Sequence, residues 1–254
     1  MSSPLSYCQN RILQSLSSEI RAEVLSRAHY VELIHGEELY RAEDPIEQIH
    51  FVEQGMVLFT KTMADGRSTM MSTADSWGTT MPYATVDGRT VDIACMVLIP
   101  GWAYAMPVMA LQQIATNQPT LEMLLRESNW RNREQVAQLS ACNRLHSLKQ
   151  RIARLLSTIH DDVGSKAFSL TQQELALMLG ARRPHVTMTV AQFQQDGLIR
   201  YHHGEMQITD PIALEAASCE CYEAISHVHT ARPVFAGRVS DSTDQKVTGC
   251  AARI

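Results

Sequence analysis

Two adjacent arginines, Arg182 and Arg183, stand between a glycine and a proline and form the clearest chemical feature of the sequence. Gly180 can adopt the left-handed backbone conformation that a tight turn needs, and Pro184 suits the first turn of a helix. A guanidinium group at the start of a helix can bind phosphate oxygens or the acceptor edge of a guanine base. The spacing therefore predicts a cationic binding group at the entry of a helix.

A shorter helix and a hairpin flank the helix that begins at these arginines. Ser169 or Thr171 can cap a helix over 172–179, with Glu174 close enough to complete a capping box. Beyond the second helix, apolar residues on both sides of the His-His-Gly turn at 202–204 predict a β-hairpin.

The second helix combines an apolar face with a polar one. Val186, Val190 and Phe193 recur at helical spacing and predict a buried stripe. A helix, a glycine turn, a second helix and a hairpin, in this order, are typical of a winged helix-turn-helix, whose second helix enters the major groove of DNA. An αα-hairpin of an unrelated domain, with a solvated polar face, is the alternative.

The N-terminal half has the shorter apolar runs that strands need. After one helical stretch over 11–28, the residues from Ile49 to Phe59 predict two strands around Gly55. Asp65 and Gly66 predict a hairpin with a two-residue turn, and strand-like runs continue to Ile99. This half is therefore expected to be an antiparallel β-roll.

A long helical segment from Pro119 to Asn143 separates the two halves, and a further helix is predicted over 143–160. The long segment needs a partner for its apolar stripe, and a second copy of itself is the simplest one. Packing on its own domain is the alternative. The stripe consists of Leu121, Leu124, Leu125, Trp130, Val136 and Leu139.

These elements predict an α+β chain with four segments. Residues 223–254 lack sustained periodicity, which favours a flexible tail. The segments are a sensor β-roll over 1–118, a dimerisation helix over 119–143, a winged helix-turn-helix over 144–222, and the tail over 223–254.

The composition agrees with two small domains, because 254 residues exceed one typical domain. The net charge of −5 does not exclude DNA, since binding needs only a local positive face. We expect a cytoplasmic protein without a signal peptide, and the two prolines and one glycine within 93–111 argue against a membrane-spanning helix there. The six cysteines are mostly scattered, which indicates reduced thiols rather than a disulfide framework.

Two sets of motifs follow one another along the chain. The C-terminal set is Leu170 to Gly180, Val186, Phe193 and Gly197-Leu198-Ile199. The N-terminal set is Gly36-Glu37, Asp44-Pro45, Phe51-Val52, Gly55, Asp65-Gly66-Arg67 and 97–100. The first set resembles the DNA-binding domain, and the second the cyclic-nucleotide-binding domain, of the CRP/FNR superfamily of bacterial transcription regulators. The resemblance implies a homodimer that binds a roughly palindromic site on double-stranded DNA, with RNA polymerase as a further partner if it activates transcription.

The ligand cassette departs from the family members that bind cyclic AMP, which begin it with Gly-Glu and follow with Arg-Ser or Arg-Thr. Gly78-Thr79 lacks the acid, whereas Arg89-Thr90 keeps the pair that would meet a phosphate. These four residues form the candidate ligand site, although a solvated arginine after a turn is the alternative for Arg89. We expect no cofactor, and binding of a cyclic nucleotide through Arg89 is the alternative. The iron–sulfur branch needs an N-terminal cysteine cluster, and Cys8 stands alone there.

The recognition helix departs as well, which implies a different target sequence. Arg183 keeps the first arginine of the family pattern, whereas Pro184 and Met188 replace an acid and a second arginine. Met188 can contact a thymine methyl group, and Thr171 and Gln172 are expected to touch the DNA backbone. The expected DNA contacts are Thr171, Gln172, Arg182, Arg183, His185, Thr187 and Met188.

Cys219, Cys221, His227 and His229 are potential metal ligands within a short span. Their spacing is tighter than the usual zinc patterns, so we predict reduced, partly buried thiols and no metal. No residues form a catalytic constellation, so the chain is not expected to be an enzyme. The alternative to a DNA-binding regulator is a ligand-sensing module whose C-terminal domain mediates protein contacts.

Overall fold

The computed structural model describes residues 8–80 and 92–230, with side chains described up to Ser226. Its N-terminal part is an antiparallel sheet with helices at both ends of the segment. The elements are α1 (Arg11–Ser15), α2 (Ser18–Ser26), β1 (His29–Leu33), β2 (Glu38–Tyr40), β3 (Gln48–Thr62), β4 (Ser68–Ala74), β5 (Ala94–Pro107) and α3 (Val108–Asn117).

The sheet has the strand order β1-β5-β3-β4, and β2 also pairs with β5. All of these pairs are antiparallel. The predicted hairpin lies between β3 and β4, and Gly66 has a φ of 82°. Its loop spans residues 63–67 rather than the expected two residues, because the last strand pair is Thr62 with Ser68. The core between the strands is formed by Leu33, Val52, Val57, Phe59, Val97 and Ala103.

A pair of glycines lets β3 and β5 approach closely where both strands bend. Gly55 has a φ of 91°, and a Cβ there would lie 2.5 Å from the carbonyl oxygen of Ile99. A Cβ on Gly101 would overlap the carbonyl oxygen of Gln54. The prediction of two strands separated at Gly55 is therefore wrong, because this glycine forms an irregularity within one continuous strand.

The N-terminal helical stretch is divided, although the sequence predicts a single helix over 11–28. Leu16 has an extended backbone, with a ψ of 149°, and ends α1. The Ser17 side chain then accepts a hydrogen bond from the Ile20 backbone N–H and caps α2. The apolar spacing alone predicts one helix, but the serine cap starts a second helix within it.

The long helix α4 (Pro119–Leu145) packs along its own chain on one side. Leu121 joins the cluster of N-terminal helices, and Leu139 joins the C-terminal core. The Asn132 Nδ2 donates a hydrogen bond of 2.8 Å to the Ser72 Oγ of β4. Leu121 and Leu139, two members of the apolar stripe predicted to contact a second copy, are therefore buried within the chain, because α4 packs against both halves.

The boundary between α4 and the next helix, α5 (Leu148–Val163), differs from the expected Asn143. α4 continues to Leu145, and His146 has an extended backbone. Ser147 and Gln150 then form a capping box that begins α5. The predicted start lies too early because a capping box rather than the apolar spacing sets the helix start.

The C-terminal part contains a small three-stranded antiparallel sheet, in the order β6-β8-β7, surrounded by helices. This helix and sheet content, with the antiparallel N-terminal sheet, confirms the predicted α+β class. The elements after α5 are β6 (Ala167–Ser169), α6 (Gln172–Met178), α7 (Arg183–Gln195), β7 (Ile199–His202), β8 (Glu205–Ile208), α8 (Pro211–Ala216) and α9 (Cys221–Thr230).

α9 occupies the first part of the segment for which the sequence predicts a flexible tail. Ile225 on this helix is buried in the C-terminal core, which explains why the segment is ordered into a helix. The rest of the predicted tail, 231–254, lies outside the described residues.

One apolar cluster joins the two halves. Met56, Leu58, Met70 and Leu98 of the β-roll lie in the same buried cluster as the residues of α5, α6 and α7. His35 adds a polar link, because its Nδ1 lies 2.7 Å from the carbonyl oxygen of Leu98 and its Nε2 lies 2.9 Å from a Glu174 carboxylate oxygen in α6.

The described part of the chain contains no candidate for a membrane-spanning helix. None of its helices combines the length and the apolar character that crossing a bilayer requires.

Replacing Gly55 by alanine should destabilise the protein more than replacing Gly66. Both glycines have a positive φ, so alanine at either position would be held in a left-handed conformation at a cost of roughly 1–2 kcal/mol. Only Gly55 adds a clash with the facing strand, whereas a Cβ on Gly66 meets open space. In urea denaturation, Gly55→Ala should lose about 1–3 kcal/mol more free energy of unfolding than Gly66→Ala. Equal losses would contradict the close approach of β3 and β5.

Candidate nucleic-acid interface

A capping box fixes the start of α6, as the sequence predicts. The Thr171 Oγ1 accepts a hydrogen bond of 3.2 Å from the Glu174 backbone N–H, and a Glu174 carboxylate oxygen accepts one of 2.6 Å from the Thr171 backbone N–H. Leu175 and Met178 bury the inner face of the helix. The polar residues at the start of α6 are therefore held at the surface in a defined position.

A tight turn joins α6 to α7. Gly180 has a φ of 55°, and the Ala181 backbone N–H donates a hydrogen bond of 2.9 Å to the carbonyl oxygen of Ala176. Arg182 has an extended backbone and precedes α7, and Pro184 lies in the first turn of that helix. The predicted glycine turn and proline start are thus both present.

The packing of α7 separates its apolar face completely from its polar face. Val186, Val190 and Phe193 are fully buried. Met188, on the opposite face, has 71% of its surface exposed. The exposed residues around the start of the helix are Arg182, Arg183, Pro184, His185, Thr187 and Met188.

The start of α6, the middle of α7 and the hairpin β7–β8 meet at one surface. The Thr187 hydroxyl donates a hydrogen bond of 2.6 Å to the Gln172 side-chain oxygen. The Gln172 backbone N–H lies 3.4 Å from the Tyr201 hydroxyl, and a Cβ on Gly204 would lie 3.5 Å from the Thr171 methyl group. The structure therefore brings the residues predicted on α6 together with those on α7.

The hairpin adds basic groups beside this surface. His202 and His203 are exposed, and their rings lie 4.0 Å apart. Arg200 is also exposed and is absent from the residues predicted to contact DNA. Neighbouring residues in a strand face opposite sides, so the apolar Ile199 in the core indicates from the sequence that Arg200 faces solvent.

Two of the acidic groups near this surface lie beside a basic side chain. Glu174 lies beside His35, and an Asp196 carboxylate oxygen lies 3.6 Å from the Lys149 Nζ. In contrast, neither Arg182 nor Arg183 has an ion-pair partner among the residues that the structure describes. The two guanidinium groups are therefore available to an anionic ligand.

The β3–β4 hairpin faces the start of α7 across an open groove of about 790 Å³. Arg67 lies on the hairpin side and forms an ion pair of 2.7 Å with Asp65. The hairpin side of the groove is lined by Met63, Gly66, Arg67, Ser68 and Thr69, and the other side by Gln173, Ala176, Leu177, Gly180, Ala181, Arg182 and Arg183.

The candidate ligand cassette is described only in part. The Gly78 carbonyl oxygen accepts a hydrogen bond of 2.9 Å from Asn10, and Thr79 is buried. Arg89 and Thr90 lie outside the described residues. The cavity that Gly78 and Thr79 line together with α4 has a volume of about 30 Å³, room for one water, whereas ligand pockets have roughly 300–1,000 Å³.

The potential metal ligands near the C-terminus are also described in part. The side chains of His227 and His229 lie outside the described residues, whereas Cys219 and Cys221 are buried and pack against Cys142 of α4. Burial raises the pKa of the Cys142 thiol to about 12 and also raises the pKa of Cys219.

Residues 150–217 match the family model of the Crp-like helix-turn-helix domain. The solved structure of FixK2 from Bradyrhizobium japonicum has a similar fold, with a TM-score of 0.65 and 15% sequence identity. The alignment covers 76% of this chain and 98% of that chain. The c-di-GMP-responsive regulator CLP from Xanthomonas campestris is 15% identical with a TM-score of 0.63, over 76% and 99% of the two chains.

A CRP-family transcriptional regulator from Thermus thermophilus is 19% identical with a TM-score of 0.63, over 74% of this chain and 96% of that chain. At such identities the likeness shows a common fold, which extends over both halves of the chain. No curated protein sequence matches the chain.

Thr171→Ala should lower the free energy of unfolding by about 1 kcal/mol, because it removes the side-chain cap of α6. The matched control is Thr189→Ala in α7, where the hydroxyl only donates back to the carbonyl oxygen of His185. Urea denaturation should show that this control changes the free energy by less than about 0.5 kcal/mol. Similar losses for the two variants would contradict the role of the capping box.

Proposed function

We propose that this chain, a transcriptional regulator of the CRP/FNR type with a helix-turn-helix domain, binds a roughly palindromic DNA site as a homodimer. The matched family is one of regulators rather than enzymes, in agreement with the sequence prediction. Binding to chromosomal DNA would place the protein in the cytoplasm, and RNA polymerase would be a further partner if the regulator activates transcription.

The observation that supports this proposal most directly is the exposed, cationic start of α7. The orientation of α7 is fixed by the burial of Val186, Val190 and Phe193 on the opposite face. A helix held in this way presents a rigid polar face, which major-groove recognition requires. Arg182 and Arg183 lie at the N-terminal end of α7, and in major-groove binding this end of the recognition helix contacts the base edges.

We assign direct base contacts to α7 and backbone contacts to α6. Arg183 can pair with a guanine edge through two N–H groups, and Met188 can contact a thymine methyl group. Thr171 and Gln172, at the N-terminus of α6, would meet phosphate oxygens. Thr187 links the two groups, since its hydroxyl bonds to Gln172. The other expected contacts on this surface are Arg182 and His185.

The hairpin β7–β8 would contact the phosphates of the flanking sequence. Arg200, His202 and His203 are exposed on it. Such contacts add affinity and salt dependence with little sequence selectivity.

The exposed face of α4 supports a homodimer. Met123 and Trp130 are exposed by 43% and 50% and stand seven residues apart, one heptad along the helix. The small, exposed Ala137 follows after seven more residues. A second copy of α4 would cover this stripe and set the two recognition helices roughly 34 Å apart, one turn of DNA.

Any signal at the N-terminal half would reach α7 through direct contacts. The β-roll and the winged domain share one apolar cluster, and α4 packs against both. A small shift of the β-roll would therefore change the geometry of the two recognition helices in a dimer. We propose no cyclic nucleotide for this role, because Gly78-Thr79 lacks the acid with which the family members that bind cyclic AMP begin the cassette.

Arg183→Ala should weaken binding to the preferred site by about 10- to 100-fold, because it removes a bidentate contact to one base pair in each half-site. The site would first be selected from a random duplex pool by the full-length protein at low and moderate salt. The matched control is Arg41→Ala, which removes an exposed arginine of the β-roll and should leave affinity unchanged. Both variants should remain dimers.

Enrichment of a two-fold-symmetric sequence that survives moderate salt would support the proposal. Binding without enrichment that disappears as salt rises would contradict it and favour the protein-contact alternative. Full affinity of Arg183→Ala would contradict the assignment of this residue alone.

Trp130→Ala should raise the dimer dissociation constant at least tenfold, because large aromatic residues dominate the energy of interfaces. Sedimentation velocity over a dilution series measures this constant. Trp102→Ala is the matched control, since Trp102 is also exposed, by 39%, but lies on β5 and stacks on Tyr30. An unchanged dimer in Trp130→Ala would contradict the role of α4.

A further inference from the structure

Three cysteines and a histidine from two distant segments converge between α4 and α9. Cys142 and His146 come from the C-terminal end of α4, and Cys219 and Cys221 come from the turn before α9 and its first residue. The three thiols are buried together. We propose that these four side chains bind a single zinc ion, a property separate from DNA binding.

The distances between the four side chains fit one tetrahedral ion. The Sγ atoms of Cys142 and Cys219 lie 3.6 Å apart, and the Cys221 Sγ lies 3.5 Å from the His146 Nδ1. All four ligand atoms lie within 4.8 Å of one another. Zinc bonds of about 2.3 Å to sulfur and about 2.0–2.1 Å to nitrogen give tetrahedron edges of roughly 3.5–3.8 Å.

Other chemistry fits these distances less well. A disulfide needs the two sulfur atoms about 2.05 Å apart, well short of the separation between Cys142 and Cys219. An iron–sulfur cluster distributes its ligands over two or more iron atoms, so ligands of different irons lie further apart than the ligands of one ion. The set of three thiolates and one imidazole is a common structural zinc site.

The histidine is oriented as a zinc ligand would be. The Nδ1 of His146 faces the Cys221 sulfur, while its Nε2 lies 3.1 Å from a Glu220 carboxylate oxygen. Ligating histidines usually donate their other ring N–H to such a carboxylate, which fixes the tautomer and makes the ring a stronger ligand. The Gln138 Nε2 also donates a hydrogen bond of 3.0 Å to the Cys221 sulfur.

The charge of the surroundings supports an anionic centre. Arg154 of α5 is 2% exposed, and its Nε and Nη2 have no hydrogen-bond partner in the described part of the chain. Its positive charge acts on the Cys142 thiol, lowering its pKa, although burial outweighs this effect. A divalent ion with three thiolates carries one negative charge, which would balance the buried guanidinium group.

The ion would tie the end of α4 to the start of α9. α4 is the helix on which both halves and the proposed dimer contact depend, and α9 closes the winged domain. A zinc ion at this point would therefore hold the winged domain at a fixed orientation to α4.

The test uses the full-length protein, purified without a histidine tag under reducing conditions. Elemental analysis should find one zinc per protomer. Replacement of zinc by Co²⁺ should give the visible absorption of tetrahedral cobalt with thiolate ligands. Cys142→Ser and Cys219→Ser should lose zinc or bind it at least tenfold more weakly in competition with a chelator. Cys95→Ser, at a buried thiol of the β-roll, is the matched control and should keep it.

Two exposed carboxylates provide variants that leave the fold intact. Glu220→Gln should raise the zinc dissociation constant by about 10- to 100-fold, because it weakens the support of His146. Glu223→Gln, a neighbouring exposed residue, should leave the constant unchanged. Simultaneous replacement of His227 and His229 by alanine should also leave it unchanged.

Several results would overturn the proposal. These are a reduced protein without stoichiometric metal, iron bound together with acid-labile sulfide, a disulfide between Cys142 and Cys219, and zinc that depends on His227 and His229. An unchanged zinc affinity in Cys142→Ser would place the metal elsewhere and overturn it equally.

Discussion

The complete burial of one face of α7 is the constraint on which the recognition surface depends. Val186, Val190 and Phe193 lie at helical spacing and have no exposed surface. Turning the helix would expose them at a cost of roughly 1.5–3 kcal/mol for each side chain. The opposite face must therefore point outward, and the arginines before Pro184 are carried to one end of it. The proposed contacts with base edges follow from this packing.

The winged domain is attached to the rest of the chain at several places with different chemistry. An apolar cluster joins it to the β-roll, His35 bridges Leu98 and Glu174, and Cys142 meets Cys219 beside α9. α4 in turn packs along the β-roll and against α9. In the proposed regulator, a change in the N-terminal half can thus reach α7 through packed side chains, without a flexible linker.

Local signals allowed much of the fold and the interface to be predicted from the sequence. The capping box at Thr171, the turn at Gly180 and the hairpin at Gly66 each follow from residues a few positions apart. Long-range contacts account for the failures. Whether Gly55 breaks a strand or bends it depends on the facing residues Ile99 and Pro100 of β5, which lie more than 40 residues further along the chain. The cysteine and histidine group has two members in α4, so the spacing near 219–221 alone could not identify it.

The central claim, that the exposed face of α7 lies in the major groove, is tested most directly by site-specific photocrosslinking. A benzophenone amino acid would replace Met188, and the protein would be irradiated on its selected DNA site. Met109 on α3, exposed by 66%, provides the control position. The account predicts crosslinks from position 188 to bases at two symmetry-related positions, and none from position 109. Absence of crosslinks from position 188 while the complex remains bound would contradict it.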